Sequence, residues 1–271
     1  LIVYGFLTQT SIPRLFLAGL LPGIGLALAF VVITMIICAI RPGLGGERRF
    51  FPFAEMLRAL ARLIPIILLF TVIIGTIYQG WATPTEAAAV GVAGALVIAG
   101  IFGGISLSMF GEAVLGTVKI TSMIMLVVIG ASFLNFTLAS AGIGRELQDF
   151  LEGLGLSPLA FMLVVVCIYI VLGFFIETLS LMVVTIPIIV PIVVEMGYDP
   201  IWFGILMIVL IEMALITPPV GLNLYVVQGA RKSGTMSEVM LGAAPYVVVM
   251  LLMVAALIAF PQIALFLPGF V

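Results

Sequence analysis

Residues 217 to 223 read Thr-Pro-Pro-Val-Gly-Leu-Asn and close an apolar run that begins near residue 201. Proline lacks a backbone donor and collides with the carbonyl one turn earlier, so Pro218 and Pro219 must break a helix near Thr217. Carbonyls freed in hydrocarbon must face protein, water or a cation, because lipid cannot pair them. Gly221 lets the backbone turn, and Thr217 and Asn223 supply neutral oxygens, a combination suited to a hard monovalent cation such as sodium. The plainer reading is a proline kink satisfied by neighbouring helices.

A second polar interruption, "GFFIETLSLMVVTIP" at residues 173 to 187, lies between two apolar arms. It is either a short turn between two full spans or the tip of a re-entrant hairpin (159–194) ending within the membrane at Glu177-Thr178-Leu179-Ser180. That tip has no Lys, Arg, Trp or Tyr to anchor it at a lipid interface, which favours the hairpin. Glu177 is a functional candidate as an intramembrane carboxylate, or else a neutralised cap of the tip. Tip and break are expected to converge near the bilayer midplane and share a sodium ion. The expected cation ligands are Gly173, Thr178, Ser180, Thr217, Pro218, Val220, Gly221 and Asn223, and the expected substrate contacts are Glu177, Ser180, Thr217 and Asn223. No catalytic residue is expected.

Two further features carry weaker chemistry. In "GWATPTEAAAVG", Thr83 precedes Pro84 and stands three residues before Glu86, a capping box with proline at the first helical position. The helix that follows is rich in alanine and glycine and suits close packing of a neighbour. Glu212, before the Thr-Pro-Pro break, is either paired structurally or close to the ion site.

The elements that must position these residues follow from composition. With 64% hydrophobic and 8% charged residues over 271 positions, the chain fits no soluble domain and reads as an all-α polytopic membrane protein. At roughly 20 apolar residues per span, about eight spans fit. Apolar segments fall at 16–40, 63–79, 84–103, 119–138, 159–175, 178–194, 201–217 and 245–267. Five arginines (Arg41, Arg48, Arg49, Arg58, Arg62) crowd one stretch, which marks that loop as cytoplasmic. Within it, residues 47–62 place Phe53, Met56, Leu57, Leu60 and Leu63 at helical spacing opposite the arginines, describing a helix that lies on the membrane surface. Alternation then puts Lys119, Arg231 and Lys232 inside and Glu195 and Asp199 outside, with Arg14 and Arg145 as exceptions. There is no histidine, and Cys38 and Cys167 sit in apolar runs, which disfavours disulfide, zinc and haem chemistry, and both thiols read as small buried apolar groups.

Sliding residues 1–31 by 223 positions aligns Leu1 with Leu224, Val3 with Val226, Gly19 with Gly242, Pro22 with Pro245, Leu28 with Leu251 and Val31 with Val254. On the topology above, the two copies cross the membrane in opposite directions, the inverted repeat of many secondary transporters. The second copy follows directly on the Thr-Pro-Pro break, so a matching break and a further half are expected before Leu1. The expected organisation is 1–46, end of the first repeat; 47–62, interfacial helix; 63–138, scaffold helices; 139–230, a transport region with the hairpin 159–194 and the broken helix 201–230; and 231–271, connecting helices.

"GWATPTEAAAVG", "GYDPIWFGILMIVLIEMALITPPVGLNLYV" and "LFLAGLLPG" resemble the large membrane subunit of tripartite ATP-independent periplasmic (TRAP) transporters, of the DctM or SiaM type. The resemblance covers essentially the whole chain. It implies sodium-coupled import of an organic acid such as a C4-dicarboxylate or sialic acid, through an elevator-like movement. It also implies a small membrane subunit, a periplasmic binding protein that delivers substrate, and a place in the bacterial inner membrane. An acidic substrate needs positive potential, yet no Lys or Arg lies deep in the segments, the nearest being Lys119 at a helix end, so sodium and half-helix N-termini must supply it. A sodium/anion symporter without a binding protein and an ion channel are the alternatives. A membrane-embedded hydrolase is disfavoured by the lack of histidine and of paired intramembrane aspartates.

Overall fold

A computed structural model describes residues 1–45, 52–142, 146, 155, 157–176, 178–218, 221–231 and 234–270. Arg48, Arg49, Arg145, Glu177, Pro219, Val220 and Lys232 lie outside the described residues, so the expectations placed on them are not addressed by it. Among the described residues the chain forms twelve α-helices, and five are long and apolar enough to cross a membrane. They divide into two units, residues 41–123 and residues 1–40 with 124–271.

In the unit 41–123, α3 (Phe53–Ala61) has no buried residue and meets α4 (Ile64–Tyr78) at a bend of 40°. Helix α5 (Pro84–Phe102) opens on the expected capping box: Thr83 Oγ1 accepts from the Glu86 N–H at 3.3 Å, and the Thr83 N–H donates to Glu86 Oε2 at 2.7 Å. Its glycines face α4, where a methyl on Gly91 would lie 2.8 Å from Ile73 and one on Gly94 2.5 Å from Leu69. The small residues therefore let two helices approach closely, as small-residue packing in membranes requires. Helix α6 (Leu107–Ser140) starts well before the expected segment at 119, so Lys119 lies mid-helix rather than at an end. Residues 107–118 lower the hydropathy but contain no proline to stop the helix.

The larger unit contains α1 (Ile2–Thr8), α2 (Ile12–Ile40), α7 (Pro158–Gly173), α8 (Thr178–Glu195), α9 (Pro200–Leu215), α10 (Leu222–Ala230), α11 (Met236–Ala259) and α12 (Gln262–Leu265). Its centre is α9, which packs on α2, α7, α8, α11 and α12 and buries residues along its whole length. Asp199 caps it by accepting from the N–H groups of Ile201 (2.7 Å) and Trp202 (3.3 Å), with Pro200 at the first position. Tyr4 of α1 donates to the Pro200 carbonyl at 2.6 Å and lays its ring on Gly204, where a methyl would come within 2.6 Å of it. Trp202 Nε1 donates to the Leu257 carbonyl of α11 at 2.8 Å, and the Tyr198 ring stacks on the indole.

The two aligned stretches have a like layout in α1–α2 and α10–α11, each a short helix, a turn and a long helix carrying an internal proline, Pro22 or Pro245. Gly25 faces Met253, while Phe30 and Thr34 both meet Tyr246, so α2 and α11 run antiparallel. Helix α11 begins at Met236, nine residues before the expected start, and Pro261 separates it from α12. Cys167 is exposed on the outward face of α7 rather than buried, a position an apolar thiol can take against lipid.

The arms α7 and α8 pack on each other and on α9. Across them Tyr169 Oη meets Thr185 Oγ1 at 2.6 Å, and Thr185 Oγ1 donates to the Leu181 carbonyl at 2.7 Å. One proton per oxygen fixes the direction of this buried relay as Tyr169 to Thr185 to Leu181. Thr185→Val leaves the tyrosine hydroxyl buried without an acceptor, whereas Tyr169→Phe removes the donor and its burial together. Thr185→Val is therefore expected to cost about 1–2 kcal/mol and more than Tyr169→Phe, with the double variant recovering part of the loss. Thermal unfolding of the three variants checks this, and equal losses would place the relay elsewhere.

Candidate functional site

Helix α9 ends at Leu215, and α10 resumes at Leu222. Between them the Ile216 N–H bonds to the Met213 carbonyl (3.1 Å) and the Thr217 N–H to the Ala214 carbonyl (3.2 Å), so the last turn tightens as it stops. Thr217 Oγ1 donates to the Met213 carbonyl at 2.6 Å, which leaves its lone pairs free to accept or to coordinate. Gly221 has φ 40°, and a methyl on it would lie 2.8 Å from Leu224 and 3.0 Å from the Thr217 carbonyl oxygen. Only glycine lets the chain fold back over its own carbonyl there. Asn223 stands in the first turn of α10, and Pro218 lies in the interruption itself.

The other interruption lies ahead of the expected tip at 177–180, while the second arm starts at Thr178 as expected. Helix α7 ends at Gly173, its last carbonyls taken by the N–H groups of Phe174, Phe175 and Ile176. Thr178 already begins α8, so Thr178, Leu179 and Ser180 form a first helical turn rather than the tip of a loop. The turn falls earlier because the Val171 carbonyl accepts from the Phe174 N–H and the Leu172 carbonyl from those of Phe175 and Ile176.

The two interruptions meet. A methyl on Gly173 would stand 2.5 Å from the Ala214 methyl and 4.0 Å from Leu181, so the end of α7, the start of α8 and the end of α9 share one point of close approach. Thr217 follows Ala214 by less than one turn. Thr178 and Leu179 line a cavity of about 400 Å³ together with Glu212, Ile208, Ile211 and Met182. Asn223 lines a second cavity of about 660 Å³, and Glu212 lines this one as well. Thr178 and Asn223 thus face different spaces, with Glu212 common to both. The sequence left the role of this carboxylate open; the signal was its position on an otherwise apolar helix, five residues ahead of Thr217.

At the outer end of the larger cavity, Arg231 Nη2 donates to Glu238 Oε2 at 2.8 Å. The pair closes over Gly234 (φ 96°), where a methyl would come within 2.6 Å of the carboxylate and 2.7 Å of the guanidinium. Gln228 Nε2 donates to the Gly234 carbonyl at 2.9 Å and ties the end of α10 to the same turn. No sequence pattern pointed to this pair, because Arg231 follows the end of α10 and Glu238 stands in the first turn of α11.

Residues 1–263 match the family described as the tripartite ATP-independent periplasmic transporter, DctM component. The chain is similar to the C4-dicarboxylate TRAP transporter large permease protein DctM of Pseudomonas aeruginosa, 34% identical over 270 residues, covering 99% of this chain and 62% of that protein. It is similar to the sialic acid TRAP transporter large permease protein SiaM of Vibrio cholerae, 33% identical over 276 residues, again 99% and 62%. The isethionate TRAP transporter permease protein DctMQ of Oleidesulfovibrio alaskensis is 31% identical over 277 residues, covering 99% of this chain and 42% of that protein. The chain thus spans about three fifths of the length of the first two.

The contact between Gly173 and Ala214 gives a reciprocal test. Gly173→Ala forces two methyls into one space and is expected to cost about 1–3 kcal/mol, and adding Ala214→Gly should restore most of it. Thermal unfolding of the single and double variants checks this. A Gly173→Ala protein as stable as wild type would show that the two helix ends do not meet there.

Proposed function

Because the chain belongs to the DctM component family of tripartite ATP-independent periplasmic transporters and is a multi-pass inner-membrane protein of that kind, we propose that it carries an organic acid of the C4-dicarboxylate or sialic acid class inward with sodium. A periplasmic binding protein delivers the acid, and a small membrane subunit completes the transporter. The observation that carries this reading is the close approach of the two interrupted helices at Gly173 and Ala214. Each interruption leaves backbone without a continuing helix, with Thr217 in the one after α9, Asn223 in the first turn beyond it, and Thr178 and Ser180 in the first turn of α8. Neutral oxygens of that kind suit a dehydrated sodium ion, and the open first turns of α8 and α10 favour an anion nearby. An acid and a cation bound together neutralise one another, which lets a chain with few deep cations accept an acidic substrate. The hairpin α7–α8 with α9 moves as one elevator-like body, re-entrant from one side of the membrane.

Uptake into proteoliposomes by the full-length protein with its partner proteins tests this. Thr217→Val keeps the shape and removes the hydroxyl, so it should raise the sodium concentration for half-maximal uptake about tenfold, with the amount of folded protein unchanged. Ser180→Ala should act in the same direction. Wild-type sodium dependence in both variants would return the Thr-Pro-Pro interruption to a packing kink, and uptake without any binding protein would favour a simpler symporter.

Orientation has its own test. In a background lacking Cys38 and Cys167, single cysteines at Gly45 and Asp199 should react with an impermeant thiol reagent from opposite sides of the membrane, the first from the cytoplasm. Labelling of both from one side overturns the topology.

A further inference from the structure

We propose that Tyr169 is a positioning residue for the cation site: by holding the first half of α8 at one height on α7, it fixes where Thr178 stands. Its consequence for transport depends on the sodium reading above, and its cause lies in how α7, α8 and α9 pack.

Two contacts join the arms. A methyl placed on Gly173 would stand 4.0 Å from Leu181, and Tyr169 Oη meets Thr185 Oγ1 at 2.6 Å. Tyr169 comes one turn before Gly173 and Thr185 one turn after Leu181, so both contacts belong to a single antiparallel register. They differ in what they can fix. An apolar contact between a glycine and a leucine tolerates sliding, whereas an O–H···O bond is confined to about 2.5–3.0 Å between oxygens. The tyrosine ring brings in the third helix, since it meets Phe203 of α9 edge-on, with centroids 6.5 Å apart and planes at 67°. Tyr169 is fully buried, and this one side chain joins α7, α8 and α9.

Helix α8 needs such a hold because its own ladder is broken. Pro187 and Pro191 lie within it and donate no N–H, so the carbonyls of Val183 and Pro187, four residues earlier, lose their helical partners. The stretch from Thr178 to Ile186 is thus joined to the rest of α8 by a weakened link. Thr185 stands in that stretch, two residues ahead of Pro187, and its hydroxyl donates onward to the Leu181 carbonyl at 2.7 Å. The relay therefore grips the half of α8 that the prolines leave less firmly joined. Thr178 begins that half and lines the cavity of about 400 Å³ together with Glu212. A slide of α8 along α7 would carry the Thr178 hydroxyl with it.

Two readouts on the full-length protein test this. In proteoliposomes with its partner proteins, Tyr169→Phe keeps the ring and removes the donor. It should raise the sodium concentration for half-maximal uptake about fivefold, with the maximal rate and the amount of folded protein unchanged. Thr185→Ser keeps a hydroxyl and should retain the wild-type value. The second readout needs no sodium. A single cysteine at Thr178, in a background lacking native cysteines, should react with a small thiol reagent about fivefold faster when Tyr169→Phe is added, and no faster with Thr185→Ser. Thr185→Val breaks the same bond from the other arm and should give both shifts. Wild-type labelling in Tyr169→Phe and Thr185→Val would overturn the positioning role. Faster labelling at a wild-type sodium dependence would instead overturn Thr178 as a cation ligand while leaving the register intact.

Discussion

A backbone carbonyl at membrane depth has no water to bond, and the larger unit is arranged around that constraint. Where α9 stops, the chain answers it locally. Met213 accepts from Ile216 and from the Thr217 hydroxyl, and Ala214 accepts from the Thr217 N–H. The remainder is answered by position, because α9 packs on α2, α7, α8, α11 and α12 and is buried along most of its length. An interruption that would be ruinous on a lipid-facing helix thereby ends a helix whose sides are packed on its neighbours.

Holding α9 in the centre requires that its neighbours be fastened to it at both ends. Tyr4 and Trp202 do this near the start, each placing its ring in the core and its polar atom on a carbonyl of another helix. Gly173 does it near the finish by having no side chain. Two aromatic anchors and one glycine thus set the height at which the hairpin meets the interruption, and the oxygens of Thr178 and Thr217 inherit that register.

Much of this architecture was legible in the sequence because membranes reduce the choices. The capping box at Thr83, the Ala/Gly face of α5 and the interruption at Thr217 rest on local chemistry or on periodicity, and each is found in the structure. The misplaced boundaries share one cause. Hydropathy marks where a helix is apolar, not where it ends, so the polar but unbroken starts of α6 and α11 were cut short and Lys119 was put at a helix end. The turn after α7 was placed too late because Thr178 and Ser180 look like loop residues, whereas they serve equally well in a first helical turn. Contacts across helices, such as Gly173 with Ala214, Tyr169 with Thr185 and Arg231 with Glu238, leave no trace at fixed spacing and could not be read in advance.

Glu212 belongs to both cavities, and among the described residues no other lines the two of them. A change at this position is therefore felt in both spaces at once. A change at Thr178 alters the smaller space alone, and one at Asn223 or Arg231 the larger alone. Two neighbouring compartments thus share a single side chain as their party wall.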